Sequence, residues 1–236
     1  MKARFYHGLW KGMDILFPPR CAGCGEWGTR WCENCQEKTQ IITSPICEIC
    51  GQPLDDTTSS FCKRCKKERD AVAFSAVRSW AVFGGPLKRA VHQLKYKKNL
   101  GLCTIFGGYL SKQLDQLGWQ IDLITPVPLD RKRYRQRGYN QAVCLARPLG
   151  WAAGIPVKPR ALARVRVTKT QVGLKLEERR ENVADAFQAE KTLTENLSVL
   201  VLDDVVTTGA TINACAVALR TARAKKVYGL TLARAL

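Results

Sequence analysis

The chain has 236 residues, a formal net charge of +18 and an isoelectric point near 9.7. Its apolar share of 46% can build a packed core, which excludes a disordered chain. It contains no apolar run of about 18 residues, so no transmembrane helix is predicted. The excess of cations favours polyanionic partners, either nucleic acid or a polyphosphate, although a generally basic protein without a defined site would carry the same charge.

The basic N-terminus does not resemble an export signal. Lys11 and Asp14 interrupt its apolar stretch, and no small-residue cleavage site follows. A short amphipathic helix that ends before Pro18 is indicated by apolar residues at helical spacing, Leu9, Met13 and Leu16. We expect this helix to dock on the protein rather than on a lipid surface.

Eight of the eleven cysteines form four CxxC pairs between residues 20 and 66: Cys21 and Cys24, Cys32 and Cys35, Cys47 and Cys50, and Cys62 and Cys65. Because Zn²⁺ favours four thiolates in a tetrahedron, four pairs satisfy two structural zinc ions. In the simplest scheme, neighbouring pairs share one ion. A crossed scheme, in which the first pair joins the third and the second pair joins the fourth, also fits the spacing. Disulfides or redox-active pairs are less favoured without an export signal, so we expect a reducing, cytoplasmic location.

From about residue 71 the composition changes to alternating strands and helices, so we divide the chain into a zinc module, 1–70, and an α/β domain, 71–236. A strand is predicted within 72–83, and a first helix is marked by Pro86, Leu87, Ala90, Val91 and Leu94. The far side of this helix carries Lys88, Arg89, Lys95, Lys97 and Lys98. A second helix then ends near Gly118, and a strand follows at 121–127.

The most basic segment of the chain is residues 131–137, which we interpret as a loop. It supplies four arginines as candidate contacts to polyphosphate or DNA: Arg131, Arg133, Arg135 and Arg137. Open α/β sheets bind ligands at the carboxyl ends of their strands, so this loop should face the same crevice as the acids described below. Tyr134 and Tyr139 are available to stack on a base or a sugar. A solvated basic loop is the alternative.

A helix at 142–149 and a long polar connection complete the middle of the chain. Pro148 lies inside the helical pattern and should end or kink that helix. Residues 164–182 are polar and basic. They either simply join two elements or form a loop that covers a ligand. A final buried strand is predicted at 225–232.

Residues 199–211, VLVLDDVVTTGAT, combine a buried strand, an acidic pair and a small hydroxyl-and-glycine loop. The strand is 199–202, and Asp203 and Asp204 follow it. The loop comprises Thr207, Thr208, Gly209, Ala210 and Thr211, and the helix after it has apolar residues at 212, 215, 216 and 219. A helix N-terminus stabilises a phosphate, and adjacent carboxylates suit a ribose diol or Mg²⁺. The pattern therefore predicts a site for a ribose 5-phosphate; an ordinary capped helix after a solvated Asp-Asp turn is the alternative.

This stretch resembles the phosphoribosyl diphosphate (PRPP) signature of type I phosphoribosyltransferases. The resemblance implies that Asp203 and Asp204, the candidate catalytic residues, contact the ribose hydroxyls of PRPP bound with Mg²⁺. It implies that the loop from Thr207 to Thr211 wraps the 5-phosphate. It also suggests that residues 164–182 form a lid over PRPP with its tip at 168–173.

Four stretches in this order are similar to one family over nearly the whole chain: the CxxC-rich segment after LFPP, an LKYK helix end, PVPL with RGYNQA, and VLVLDDVVTTGAT. This is the ComF family of competence and DNA-utilisation proteins. The resemblance implies an α/β fold of the type I phosphoribosyltransferase class, a central, mainly parallel sheet flanked by helices, joined to a small zinc ribbon. It also implies a link to natural transformation and to single-stranded DNA entering the cytoplasm.

Three hypotheses for the function remain open. The first is a protein that binds PRPP and single-stranded DNA, with other DNA-uptake proteins as partners and without stable membrane insertion. The second is an active phosphoribosyltransferase, resembling an amidophosphoribosyltransferase, that acts on an unidentified acceptor. The third is a sensor that binds PRPP without consuming it.

Overall fold

The computed structural model describes residues 18–56, 58–68, 71–166 and 185–236. Within these residues the helices are α1 (Glu33–Glu37), α2 (Lys63–Lys67), α3 (Gly85–Tyr96), α4 (Gly101–Leu117), α5 (Arg131–Arg137), α6 (Gln141–Ala153), α7 (Lys191–Thr194) and α8 (Ala210–Thr221). The strands are β1 (Ala76–Val82), β2 (Leu123–Pro126), β3 (Leu162–Arg164), β4 (Phe187–Ala189), β5 (Ser198–Val206) and β6 (Lys226–Arg234). The expected N-terminal helix and the expected lid tip at 168–173 lie outside the described residues.

Four parallel strands form the central sheet in the order β1-β6-β5-β2. Side chains alternate along β5, so its apolar residues divide between the two faces of the sheet. Leu200 and Leu202 pack with helices α3, α4 and α6, on what we call the helical face. Val199 and Val201 pack with α8 and the β3–β4 hairpin, on what we call the loop face. Both faces are covered, which explains the continuous apolar run in the sequence and confirms the predicted fold class.

The predicted helices of the helical face are confirmed, and their core-facing apolar residues are buried, whereas Tyr96 and Trp151 are exposed. Pro148 was expected to end or kink the third of them, and it does not end the helix, because α6 continues through Pro148 to Ala153. Gly107 of α4 leaves room for the Pro148 ring against α4, since a Cβ at position 107 would come within 2.8 Å of the Pro148 side chain. A disulfide that was not predicted joins α4 to α6 between Cys103 and Cys144.

The basic segment after β2 was expected to be a loop but is helix α5. Asp130 caps it, because its carboxylate accepts a hydrogen bond from the Arg133 backbone N–H at 2.9 Å. Gly138 ends it in the left-handed conformation, with φ of 79°. The arginines therefore radiate from one short helix rather than from a loop.

The cysteine-rich segment is built onto the sheet at its β1 edge. Trp31 packs edge-on against Phe106 of α4, with ring centroids 5.3 Å apart. The backbone N–H of Val82 donates to the Gln40 carbonyl, and that of Val77 donates to the Ile49 carbonyl. The zinc module and the α/β domain thus share one packed interior.

The long connection expected between two elements joins β3 to β4, an antiparallel pair that packs against α8 on the loop face. None of the helices in the described part of the chain is long and apolar enough to span a membrane.

Candidate functional site

The acidic pair lies inside β5, whereas the sequence placed it after the strand. β5 continues to Val206, so Asp203 and Asp204 are consecutive strand residues and point to opposite faces of the sheet. Asp203 belongs to the loop face and Asp204 to the helical face. The two carboxylates still interact with each other, since each affects the pKa of its neighbour, but the remaining contacts of each lie on a different face of the sheet.

Asp204 is buried and already paired. Its Oδ2 lies 2.6 Å from Nζ of Lys95, at the end of α3, and its Oδ1 accepts a hydrogen bond from Gln141 at 3.4 Å. Burial, the largest effect, would raise the pKa of Asp204, but the Lys95 charge and side-chain hydrogen bonds from Lys95, Asp203 and Gln141 together outweigh it and lower the pKa below its usual value. Asp204 is therefore an ionised carboxylate that holds Lys95 at the carboxyl edge of the sheet.

Asp203 is half-buried and lines a small crevice together with the hydroxyl-and-glycine loop. Burial raises the pKa of Asp203 well above its usual range, and the neighbouring charge of Asp204 adds to the increase. Its Oδ1 accepts a hydrogen bond from the Asp204 backbone N–H at 2.8 Å. The structure thus brings one of the two acids, Asp203, together with the predicted phosphate loop.

The loop from Thr207 to Thr211 leads directly into α8, as predicted. Gly209 caps the helix with φ of 81°, a left-handed conformation that other residues rarely adopt. The first N–H groups of a helix have no partner within the helix and carry a partial positive charge, so this corner suits an anion. The enclosed crevice holds only about 20 Å³, so a phosphorylated sugar bound here would extend beyond it.

The four candidate arginines are close to this edge but differ in what they contact. Arg131 and Arg135 are exposed, and Arg133 pairs with Asp130 at 3.2 Å. Arg137 donates to Gln141 at 2.9 Å, and Gln141 in turn donates to Asp204. Arg137 is therefore the one of the four that is joined to the acidic pair through hydrogen bonds in the described structure.

The two candidate stacking tyrosines also differ. Tyr134 is 52% exposed on α5 and remains available to a ligand. The hydroxyl of Tyr139 donates to the Leu94 carbonyl in the last turn of α3, and its side chain is partly buried. Tyr139 is therefore a structural contact between α3 and the start of α6.

The eight paired cysteines form two clusters, and in each cluster all four sulfurs lie within 4.8 Å of one another. The first contains Cys21, Cys24, Cys32 and Cys35, and the second contains Cys47, Cys50, Cys62 and Cys65, so neighbouring pairs meet and the crossed scheme is not formed. A tetrahedron with Zn–S bonds of about 2.3 Å has sulfurs about 3.8 Å apart. One sulfur–sulfur distance in each cluster is 3.7 Å, so the ligands fit structural zinc.

Backbone N–H groups favour the thiolate form of one ligand in each cluster. Burial opposes ionisation of Cys21 and Cys47, but N–H groups of the turns outweigh it and lower their pKa values to about 6 and about 7. Such N–H groups also compensate the charge of a zinc–thiolate centre. Burial instead raises the pKa values of Cys35 and Cys65, so the turns favour one thiolate in each cluster rather than all four.

Three arginines connect the second cluster to the rest of the loop face. Arg234 donates to the Cys50 carbonyl, and Arg78 donates to the Glu48 carbonyl at 2.9 Å. Arg64, which lies in α2 between two cysteine ligands, donates to the backbone carbonyl of Thr208 in the phosphate loop. The second cluster is therefore in direct contact with the loop expected to hold the phosphate.

Sequence reasoning missed Lys95, Gln141 and Arg64. Lys95 was placed on the far, solvated side of α3, and the structure instead pairs it with Asp204. The apolar spacing of α3 offered one signal: Lys95 directly follows Leu94, the last buried residue of the helix, and so lies near the core rather than far from it. No pattern in the sequence indicates that Arg64 reaches a loop 144 residues away.

Comparison with known proteins finds one matching family model and several distantly similar structures. Residues 12–66 match the family model described as a double zinc ribbon domain. Among solved structures, the allosteric regulatory enzyme of purine biosynthesis is 25% identical with a TM-score of 0.36, over 52% of this chain and 24% of that enzyme. Adenine phosphoribosyltransferase from Thermoanaerobacter pseudethanolicus is 17% identical with a TM-score of 0.33, over 54% of this chain and 79% of that protein. The fold assignment rests on the sheet and not on these distant matches.

Three curated proteins are similar along most of their length. DNA utilization protein YhgH of Salmonella typhimurium is 30% identical over 79% of this chain and 81% of its own. Competence protein F of Haemophilus influenzae is 30% identical over 86% of this chain and 90% of its own. Competence protein ComFC of Bacillus subtilis is 25% identical over 95% of this chain and 89% of its own. With its cysteine clusters, parallel sheet and acidic strand end, the chain belongs to the ComF family of competence and DNA-utilisation proteins.

Proposed function

We propose that this protein binds PRPP, with Mg²⁺, and single-stranded DNA, and that it works in the cytoplasm on DNA that is being taken up or used. The observation that carries the PRPP half is that Asp203 and the loop from Thr207 to Thr211 line one crevice at the carboxyl edge of the sheet. An acceptor-only carboxylate and a helix N-terminus side by side match a ribose diol and its phosphate. Residues 71–236 would supply this site and residues 1–70 the zinc module.

The two acids have different roles in this proposal. Asp203 faces the crevice and is placed to accept hydrogen bonds from ribose hydroxyls or to hold the water shell of Mg²⁺. Asp204 acts through Lys95, whose side chain is 22% exposed beside the buried carboxylate. Lys95 and Arg137 then provide positive charge for the diphosphate group at the same edge.

The DNA half rests on the relatives and on charge. The similar proteins are named for competence and DNA utilisation. In this chain, α5 adds five cations in seven residues, and Arg131 and Arg135 are exposed on this helix. Contacts between cations and phosphates release counterions, so binding should weaken steeply as salt is raised.

Calorimetry with PRPP and Mg²⁺ tests the first half. The wild-type protein should bind PRPP, and Asp203→Asn should weaken binding at least tenfold, because an amide cannot replace both acceptor atoms of the carboxylate. Asp115→Asn, an exposed acid on α4, is the matched control and should bind as the wild type does. Equal affinities for both variants would refute the assignment of Asp203.

The second half is tested by titrating a labelled oligo-dT with the protein at several salt concentrations. Replacing Arg131, Arg133 and Arg135 together with Ala should weaken binding and flatten its salt dependence. The salt response of the wild-type protein is the first result to examine, since a flat response would contradict a phosphate interface. Repeating the PRPP titration with oligo-dT present shows whether the two ligands bind together.

An active phosphoribosyltransferase is the second candidate, and one observation favours it. A cavity of about 630 Å³ adjoins the phosphate loop at Thr208, Gly209 and Ala210 and is bounded by Phe74 and Phe187. Its size and partly apolar lining are typical of a small-molecule site and would admit an acceptor. Transfer would release pyrophosphate from PRPP as the acceptor joins C1 of the ribose.

A pyrophosphate-release assay with a panel of amine and nucleobase acceptors tests this candidate. An active enzyme should release pyrophosphate only when PRPP and an acceptor are both present. The Asp203→Asn, Asp204→Asn double variant should lose that release. Tight PRPP binding without release for any acceptor would favour a binding protein or sensor.

A further inference from the structure

An open groove of about 980 Å³ lies along the surface where the first zinc knuckle meets α3, to which Arg89 and Gln93 of α3 join it by hydrogen bonds to the Gly23 and Ala22 carbonyls. The exposed cations that line it are Arg20, Lys88, Arg89 and Lys97. Residues 85–100, which form its helical wall, carry five lysines and arginines and no aspartate or glutamate. The groove therefore concentrates positive potential on a wall that offers no competing carboxylate.

One edge of α3 runs from this groove toward the candidate PRPP site. Lys88, His92 and Tyr96 recur at every fourth position and so lie on the same side of the helix. The rings of His92 and Tyr96 are 4.8 Å apart. At 1.5 Å per residue, this edge is about 12 Å long.

Tyr96 connects the α3 edge to α5. The guanidinium of Arg137 lies 4.9 Å from the centroid of the Tyr96 ring and donates to its hydroxyl at 3.3 Å. Arg137 also reaches Asp204 through Gln141. The groove is thus continuous, through direct contacts, with the carboxyl edge of the sheet.

Exposed aromatic rings stand at both ends of this path. Trp27 is 63% exposed on the first zinc knuckle, with the guanidinium of Arg20 4.0 Å from its ring centroid, and Tyr96 is 58% exposed. Rings so exposed contribute little to the core. Stacking on such rings gives affinity for single strands, whose bases have free faces, and adds little for duplex DNA, whose bases are already stacked.

We infer that these residues form a track for a single strand of DNA that begins at Trp27, follows the α3 edge and ends at the acidic pair. The strand track comprises Arg20, Trp27, Lys88, His92, Tyr96 and Lys97. Its cations hold phosphates, and Trp27 and Tyr96 stack on bases. This inference rests on the DNA half of the proposed function and adds to it a location separate from the four arginines of α5. In this arrangement the first zinc cluster holds the knuckle that carries Trp27 in position beside α3.

Fluorescence anisotropy with labelled oligo-dT and the full-length protein tests the charged part of the track. Lys88→Ala with Lys97→Ala should weaken binding about tenfold near 0.1 M salt. The slope of log K against log salt should fall by about 1.4, or about 0.7 for each phosphate that the lysines no longer neutralise. The matched control is Lys225→Ala with Lys226→Ala, exposed lysines at the opposite, amino edge of the sheet. That control removes the same charge and should leave the slope unchanged.

Trp27 tests the stacking part. Trp27→Leu should weaken oligo-dT binding about 5- to 100-fold with an unchanged salt slope, and Trp27→Phe should recover much of the loss. Zinc content, measured on each variant, identifies any change that acts by disrupting the knuckle. Because Trp27 is largely exposed, both variants should retain two zinc ions per chain.

The outcomes separate this inference from the proposed function. Wild-type protein that binds oligo-dT while the Lys88/Lys97 and Trp27 variants bind equally well would overturn the track and leave the DNA half standing. Wild-type protein that does not bind oligo-dT would overturn both. If the wild-type protein bound duplex DNA as tightly as oligo-dT, the surface would act by charge without stacking, and the track would be overturned. If it bound oligo-U more tightly than oligo-dT, the track would be reassigned to RNA.

Discussion

The two faces of the sheet carry matching parts that are used differently. Each face has one cysteine cluster and one acid of the consecutive pair. On the helical face the acid is neutralised by Lys95 and the cluster borders an open groove. On the loop face the acid lines the phosphate crevice and the cluster is buried among arginines, one of which holds the loop. Similar components are thus arranged differently: the acid of the helical face is paired within the protein, whereas the acid of the loop face lines a crevice.

The largest effect on this comparison is expected when one cysteine cluster is removed at a time. Cys47→Ser and Cys24→Ser should each remove one zinc ion, and a structural site is worth on the order of 10–16 kcal/mol of binding free energy. At a temperature where both variants remain folded, Cys47→Ser should weaken PRPP binding about a hundredfold or more, because the loop loses its support. Zinc analysis with PRPP calorimetry makes the comparison. Equal PRPP losses in both variants would show that the two clusters are equivalent.

Removing Lys95 should cause the next largest loss of stability on the helical face. Lys95→Met leaves Asp204 buried and unpaired, which should cost about 3–5 kcal/mol in the free energy of unfolding. Urea unfolding measures it. The Lys95→Met, Asp204→Asn double variant should recover part of the loss, because no uncompensated charge is left. A single variant as stable as the wild type would mean that Asp204 does not depend on Lys95.

A smaller effect is expected where the second cluster contacts the phosphate loop. Arg64→Gln removes a charged donor from the Thr208 carbonyl, and hydrogen bonds to charged groups contribute about 1.5–3 kcal/mol. PRPP affinity should therefore fall about tenfold while zinc content stays at two ions. Lys66→Gln, an exposed neighbour in the same helix, should have no effect. Unchanged affinity for Arg64→Gln would separate the cluster from the site.

The smallest effects concern the pH dependence of the two acids, and they should have opposite signs. Because the pKa of Asp204 is lowered in the folded protein, its contribution to stability is present above its unfolded pKa of about 3.9 and is lost as pH falls through the folded value. Because burial raises the pKa of Asp203, its ionisation destabilises the fold as pH rises from about 3.9 through the folded value.

Two amide variants check these signs. Asp203→Asn should be more stable than the wild type at neutral pH, by no more than about 1 kcal/mol, since ligand-binding residues are often strained for function. Asp204→Asn should be less stable there. Urea midpoints between pH 4 and pH 8 give both results, and parallel curves for the two variants would contradict the assignment of one acid to each face.

Patterns that depend on nearby residues could be predicted from the sequence. The parallel sheet follows from apolar runs such as 199–202, the main helices follow from their spacing, and the zinc clusters follow from four CxxC pairs. The loop entering α8 was located for the same reason: glycine and threonine after a buried strand are a local signal.

Features that depend on contacts between distant residues could not be predicted. The length of β5 beyond the acids, and with it the position of Asp203 and Asp204 inside the strand, is set by pairing with β6 up to Val206. The pairing of Lys95 with Asp204 and the contact of Arg64 with Thr208 join residues more than 100 positions apart. Helix α5 was interpreted as a loop because its seven residues contain no apolar side chain other than Tyr134, so no amphipathic period indicates a helix.

The contact between Arg234 and the Cys50 carbonyl has a consequence for biosynthesis. These residues are 184 positions apart, so all four cysteines of the second cluster leave the ribosome long before the strand that completes their surroundings. Metal can therefore be captured early by a nascent chain, while the arginine that covers it arrives with the last strand of the sheet. Translation that stops before β6 would therefore leave the Cys50 carbonyl of the second cluster without the Arg234 donor.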